Sequence, residues 1–412
     1  MTSHPRCRSE PRAAALKPRR SERFRPLATT AVVAVASTSD SSSPSSSSSP
    51  SSPSPSPWLC PACSSPLSPS EGDAKTLACP QNHCFDVSRE GYVNLVRAGR
   101  KAKKSGAAPA GDAPEALAAR GRFFAAGHFD RVMDAAADAV LEVLQRRARG
   151  RGGGGEGKEP GAATAAVLDA GCGEGAYLRR LARRLASPSS SSSSTSLSFS
   201  SINLLGVDVA KAAVRSAASR AQREEEEEEE EGPSPERSRV KAHFAVASAF
   251  ALPLPDSSVS CALVAFAPLP SAELRRVLKN DSGEPGSAAS ASVSASAVVV
   301  VGPGPEHFLG LKREVYGRER AATRDELLER GARGGPTSAG AAAAAALPPF
   351  SSQARVQYRL SLGGPAALDL LRMTPYWWRA SEETRERVER EGLETEVDVL
   401  ISTIERSELD LL

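Results

Sequence analysis

Nowhere in its 412 residues does this chain run eighteen apolar residues together, so no membrane-spanning helix and no membrane partner are expected. Its start also lacks the long apolar core of a secretory signal. Acids are scarce there as well: residues 1–57 hold eight Lys or Arg against three Asp or Glu, then pass into a run of almost only Ser and Pro. Such a segment cannot bury enough apolar surface to offset its chain entropy. Rich in Arg and Ser and short of acids, it has the make-up of an organelle transit peptide. The stretch Val33-Ala34-Val35-Ala36-Ser37 favours a plastid over a mitochondrion. A disulfide framework is not in evidence either, because the seven cysteines are odd in number and scattered, the usage of a reducing compartment.

The formal net charge of +3 belongs to the leader. Beyond residue 57 stand 44 basic and 46 acidic residues, and eight of the acids form one run, Glu224–Glu231. Without that run the body carries a modest basic excess, suited to an anionic partner.

What is present begins at residue 58. Cys60-Pro61-Ala62-Cys63 and Cys79-Pro80-Gln81-Asn82-His83 pair four donors at metal-ligand spacing. Three thiolates and an imidazole close a tetrahedron around Zn2+ and leave no position open, so the metal is structural. Each Cys-Pro turn aims backbone amides at the first sulfur of its pair. Cys84 beside His83 is a rival fourth donor. Residues 58–97 form this module. Residues 98–163 are a linker followed by a helical stretch with Leu117, Phe123, Phe124, Phe129, Val132 and Met133 on its apolar face. Residues 164–412 read as a catalytic domain.

That domain opens with the buried strand Ala165–Asp169, followed by Gly171-Cys172-Gly173-Glu174-Gly175 and a helix. Further strands are expected at 202–208, 240–248, 259–266 and 297–301, alternating with helices. The pattern is that of an α/β fold with a doubly wound parallel sheet. Residues 354–412 are expected to cap it. Four biased runs, 187–201, 224–231, 282–296 and 331–347, read as solvated loop expansions.

Glycines at alternate positions after a strand let the backbone approach a ligand. Asp208, ending the second strand, can accept both hydroxyls of a ribose. An acid leading the loop, Asp169, suits the cationic S-adenosyl-L-methionine better than a pyrophosphate, which it would repel. Ser248 lies at the turn after the third strand, on the adenine side. The fourth strand ends Ala265-Phe266-Ala267-Pro268, without the polar Pro-Pro-aromatic site of enzymes that methylate exocyclic amines. Cys261, in mid-strand, reads as core. A ring nitrogen or an oxygen is left as acceptor, and no residue stands out as the base. His307, after the fifth strand, is placed either over the cofactor or at a helix start without a ligand. Arg97, Arg100, Lys101, Lys103 and Lys104 could meet phosphates.

Taken in order, these blocks resemble the bacterial 23S ribosomal RNA (guanine-N1)-methyltransferases of the RlmA (RrmA) type. The matching stretches are Cys60-Pro61-x-Cys63, Cys79-Pro80-Gln81-x-His83-x-Phe85-Asp86, Glu90-Gly91-Tyr92-Val93-Asn94-Leu95 and Ala126-Gly127-His128-Phe129. After them come Val167–Gly175, Gly206-x-Asp208-Val209, Pro303-Gly304-Pro305-x-His307 and Met373-Thr374-Pro375-Tyr376-x-Trp378-Arg379-Ala380. The resemblance implies a Rossmann-like class I methyltransferase domain behind a zinc module. It implies zinc on Cys60, Cys63, Cys79 and His83. It also implies S-adenosyl-L-methionine on Gly173, Glu174, Gly175, His307 and Phe129, a position where the family usually has Tyr. Leu269 stands where members often have Cys. The implied substrate is a guanine of large-subunit rRNA, methylated at N1, and the protein is expected to act in an organelle, with a homodimer as a further partner. A small-molecule methyltransferase and a silent RNA-binding relative are the other readings. If the zinc module is a separate grip on RNA, losing the metal should leave cofactor affinity unchanged.

Overall fold

The structure, a computed structural model, describes residues 56–70, 72–96, 113–151, 164–186, 199–231, 238–280, 296–317 and 351–411. The leader, the basic stretch Arg97–Lys104 and the greater part of three biased runs lie outside the described residues.

Three short antiparallel strands, β1 (Ser68–Ser70), β2 (Asp73–Ala78) and β3 (Cys84–Asp86), make a small sheet around the Cys/His cluster. The large sheet has eight strands. Its centre is β5 (Thr164–Ala170), with β6 (Ser201–Asp208) and β7 (Val240–Val246) to one side and β8 (Cys261–Ala265) and β9 (Ala297–Pro303) to the other, all parallel. The chain order therefore reverses at β5, and in open α/β sheets such a switch point is where ligands bind.

Both edges come from outside this parallel core. β11 (Leu393–Glu405) pairs antiparallel with β9, and β10 (Ser352–Leu362) pairs antiparallel with β11. Residues 354–412 thus extend the sheet by two strands, while the helices Gly364–Arg372 and Glu382–Glu391 between them pack Ala367, Leu370, Leu371 and Val388 into the core. At the opposite edge β4 (Tyr92–Asn94), from the end of the zinc module, pairs parallel with β7. The described residues, all from 56 onward, form one compact unit.

Alternation along the strands explains the layers. Val167, Leu204 and Leu263 point to one apolar cluster, and their neighbours Leu168, Leu205 and Ala262 to another, as a period of two requires. The first cluster is covered by three helices, α2 (Asp130–Arg151), α3 (Ala176–Ala186) and α4 (Lys211–Glu231). The second is covered by the helix Ser271–Val277 and by the zinc module, whose Trp58, Leu67, Leu77, Val93 and Leu95 pack into it.

Two local expectations change. The helical stretch before β5 is two helices, α1 (Pro114–Ala125) and α2, broken where Gly127 turns left-handed at φ 78°. The run Glu224–Glu231 is not a loop but the last turns of α4. Glutamate is a good helix former, and Glu224 is held by Arg179 of α3 at 3.0 Å.

Candidate functional site

In the zinc module the two Cys-Pro turns fold back so that Cys60, Cys63, Cys79 and His83 bring their donor atoms within 4.8 Å of one another. Cys63 Sγ lies 3.5 Å from Cys79 Sγ. His83 Nδ1 lies 3.3 Å from Cys79 Sγ and 3.6 Å from Cys60 Sγ. A tetrahedron around zinc with arms of about 2.0–2.3 Å has edges of about 3.5–3.8 Å, so the donor set fits Zn2+ with no position left open. Cys84 lies outside the cluster, and His83 completes it.

Ser64 and Asn82 take positive φ and tighten the two turns. The backbone N–H of His83 donates to Cys79 Sγ at 3.4 Å, the amide-to-sulfur contact expected of the turn. Ser65 holds the Cys63 thiol down at about 6, while burial raises that of Cys60.

The second site lies at the switch point, over the C-terminal ends of β5, β6 and β8. It is a cavity of about 550 Å³, large enough for a nucleoside-sized ligand. Beneath it the chain leaves β5 through Gly171, Gly173 and Gly175, with φ of 91°, 54° and 73°. Glycine is needed here twice over. A Cβ on Gly171 would stand 2.9 Å from that of Ala267, and one on Gly175 would stand 2.9 Å from that of Ala217. The amides of Gly171 and Cys172 both donate to the carbonyl of Val207, which pins the loop to β6.

Asp169 is wholly buried, and neither of its carboxylate oxygens has a protein partner. Burial, with the negative charge of Asp208 behind it, pushes its carboxyl up to about 8. A buried acid left without a donor is a costly arrangement unless a ligand supplies the missing partner. Asp208 is different. One of its oxygens accepts from the Gly173 N–H at 3.0 Å and the other from the Ala210 N–H at 2.8 Å. It braces the glycine turn and keeps spare lone pairs for a ligand.

The other residues read from the sequence are placed as follows. Phe129, buried between α1 and α2, and His307, after β9, both line the cavity. So does Ser248, whose Oγ accepts from the Phe250 N–H at 3.2 Å. Glu174 lines it too, but its Oε1 is 3.4 Å from Arg220, and Arg179 donates to its carbonyl. The side chain of Glu174 therefore anchors the turn to α4 and its carbonyl anchors it to α3, and burial holds its carboxyl above the usual range.

His307 accepts the Asp398 N–H on Nδ1 at 3.3 Å. Burial pushes it down to about 3, so the ring is neutral with its proton on Nε2. Cys261 is fully buried in β8, as core.

Several further lining residues carry no site assignment from the sequence. Arg120 and Phe124 come from α1, and Tyr177 from α3. Tyr177 is buried with its hydroxyl unpartnered, as Asp169 is. Met373, Thr374 and Pro375 close the far side. They stand beside α1 because Asp369, in the helix Gly364–Arg372, takes a bidentate contact from Arg122, with Nε at 2.9 Å. Beyond Pro375, Trp377 is flanked by the guanidinium groups of Arg372 and Arg385, and Trp378 is 76% exposed.

Residues 58–104 match the family described as RlmA, N-terminal, a zinc ribbon. The chain is 40% identical over 121 residues to a protein of Micromonospora griseorubida named for 23S rRNA (guanine-N1) methyl transfer, a match covering 29% of this chain and 37% of the relative. It is 34% identical over 122 residues to the 23S rRNA (guanine(748)-N(1))-methyltransferase of Streptomyces fradiae, covering 30% of this chain and 35% of the relative. The chain thus spans little more than a third of the length of each. Among solved structures, the YcgJ protein of Bacillus subtilis is similar at 18% identity and a TM-score of 0.29, over 59% of this chain and 93% of that one. The geranyl diphosphate C-methyltransferase of Streptomyces coelicolor is similar at 15% identity and a TM-score of 0.26, over 59% and 71%. The zinc ribbon is thus similar to the N-terminal part of the RlmA type, and the curated relatives matched over about a third of their length are named for 23S rRNA (guanine-N1) methyl transfer.

Proposed function

We propose that this chain transfers a methyl group from S-adenosyl-L-methionine to N1 of a guanine in large-subunit rRNA. The observation that carries the reading is Asp169: a wholly buried carboxylate with no protein partner, facing a nucleoside-sized cavity over a glycine turn. Such a site calls for a ligand that is cationic or rich in donors. When bound, S-adenosyl-L-methionine supplies an electrophilic methyl group on a sulfonium.

The chain's own residues do the rest. Asp169 and the Tyr177 hydroxyl gain partners from the ligand's polar groups. Asp208 fixes the Gly173 amide and accepts from ribose hydroxyls. Phe129, Phe266 and Phe308 give the cavity its apolar wall. His307, with its proton on Nε2, donates a hydrogen bond and does not take up the guanine N1 proton. That proton leaves to solvent. Holding the base in line with the methyl supplies much of the rate, so no strong base is needed.

The RNA half of the reading is supported by the zinc ribbon, by the relatives' names, and by Trp378 and Arg379, exposed just past the cavity's rim. Exposed aromatics beside arginines suit single-stranded nucleotides. Residues 1–57 direct the protein to an organelle, with a plastid favoured. A fluorescent fusion of the leader tests that part alone, and a diffuse cytosolic signal refutes it.

Mass mapping of organellar large-subunit rRNA from cells lacking this chain tests the activity. One guanine should lose its N1 methyl group. An unchanged methylation map refutes the reading.

A further inference from the structure

The cavity is ringed by phenylalanines, and one of them is held in a way that core packing does not explain. Phe266 follows β8 with φ 51°, a left-handed backbone that a bulky side chain adopts only when its surroundings force it. Phe308, after β9, is also left-handed at φ 55°, but it is buried and the core holds it there. Phe266 is 45% exposed. The strained backbone therefore turns an aromatic face away from the core and into the cavity mouth.

The surroundings keep it there. The Phe266 N–H donates to the Val301 carbonyl at 2.9 Å, fixing the turn to β9. Its ring lies 5.5 Å from that of His307 and within 23° of parallel to it. Phe129 closes the inner side at 6.1 Å. One face of the ring is thus backed by a neutral imidazole, and the other side is open to whatever enters. Ala267, the next residue, lies against Gly171 of the glycine turn, so this aromatic stands over the place where the cofactor's reacting end is expected.

We propose that Phe266 is the stacking platform for the acceptor base: the extruded guanine lies flat on its exposed face and is thereby set in plane for attack through N1. The proposal rests on the guanine-methylation reading and adds to it the residue that selects a planar purine over an aliphatic acceptor. Stacking recognises a π-face and not a hydrogen-bond pattern. Phe266 therefore sets the class of acceptor, while the ring atom methylated is left to polar groups.

The test uses the full chain with an unmodified large-subunit rRNA transcript. Turnover is measured by tritium transfer, and S-adenosyl-L-methionine affinity by calorimetry. Phe266→Leu keeps apolar volume but removes the π-face. It should lower kcat/KM for RNA by about 5- to 150-fold, the range for losing one base–aromatic stack, with cofactor affinity within twofold of the parent. Phe266→Tyr should stay within a fewfold. Phe266→Gly relieves the backbone strain, so it should match or exceed the parent's thermal midpoint while losing turnover as Phe266→Leu does. A Phe266→Leu enzyme as active as the parent overturns the proposal. So does a loss of cofactor affinity that accounts for the loss of turnover, which would make Phe266 a cofactor contact. If the parent itself methylates no RNA, the guanine-methylation reading fails, and the stacking proposal with it.

Discussion

The metal cluster and the cavity both gather ionisable side chains away from water, and they do so by opposite means. In the cluster every donor faces another, and one zinc ion satisfies all four. In the cavity Asp169 and Tyr177 face nothing, and their missing partners must arrive from outside. The first arrangement is closed and holds structure; the second is open and holds a ligand. The two are not independent, however. Trp58, Leu67, Leu77, Val93 and Leu95 of the zinc module share one apolar cluster with Leu205, Val207, Ala247 and Leu252, beside the cavity wall. Leu59 also donates to the Pro253 carbonyl, and Leu95 to that of Val246. The module is a buttress of the sheet as well as the proposed grip on RNA.

This coupling gives the largest expected effect. Stripping the metal with a strong chelator, or Cys79→Ser, should lower the thermal midpoint by about 10 °C or more, since structural zinc contributes folding energy outright. It should also weaken S-adenosyl-L-methionine binding together with RNA binding. The expectation from motif order alone, that cofactor affinity would survive metal loss, is the opposite. Calorimetry on the metal-free chain decides between the two.

Next in size is Asp169. Between its unfolded value near 3.8 and its folded value of about 8, the unfolded chain has released this proton and the folded one has not. The ligand-free protein should therefore lose stability as pH rises through that window. Asp169→Asn should flatten the loss in urea titrations across the same range. It should also weaken the cofactor. A pH profile unchanged by the substitution would mean that Asp169 already has a partner.

Asp208→Ala should weaken S-adenosyl-L-methionine by about 1–3 kcal/mol. Asp208→Asn, which can still accept the Gly173 amide, should lose less. Equal losses would show that the brace on the turn counts for nothing.

The smallest effect concerns His307. Its folded value of about 3 lies below the ordinary 6.5, so below pH 6.5 the unfolded chain takes up a proton that the folded one refuses. Stability should fall with acidification there, and His307→Asn should make the fall shallower in thermal melts between pH 7 and pH 5.

The same contrast explains what could be read in advance. The four zinc donors lie within one short stretch, Cys60 to His83, and their spacing spells the tetrahedron. The glycine turn and Asp208 are legible because strand, turn and helix follow one another directly. Phe124 and Met373–Pro375 stand out in the sequence as an apolar anchor and a family block, but their place at the cavity, and that of Arg120, depends on the packing of α1 against the helix Gly364–Arg372, which includes the Arg122–Asp369 contact across 247 residues. Tyr177 follows Gly175 by two residues and could have been found from the helix turn that aims it at the cavity. The Glu run misled because its charge suggested a solvated loop, while its helix propensity and Glu224 contact place it on α4.

The most direct measurement is nucleoside mass spectrometry of an unmodified large-subunit rRNA transcript after incubation with the purified zinc-loaded chain and S-adenosyl-L-methionine. The account predicts 1-methylguanosine, lost with Asp169→Ala. N2-methylguanosine, methyladenosine, or methyl transfer to small metabolites alone would contradict it.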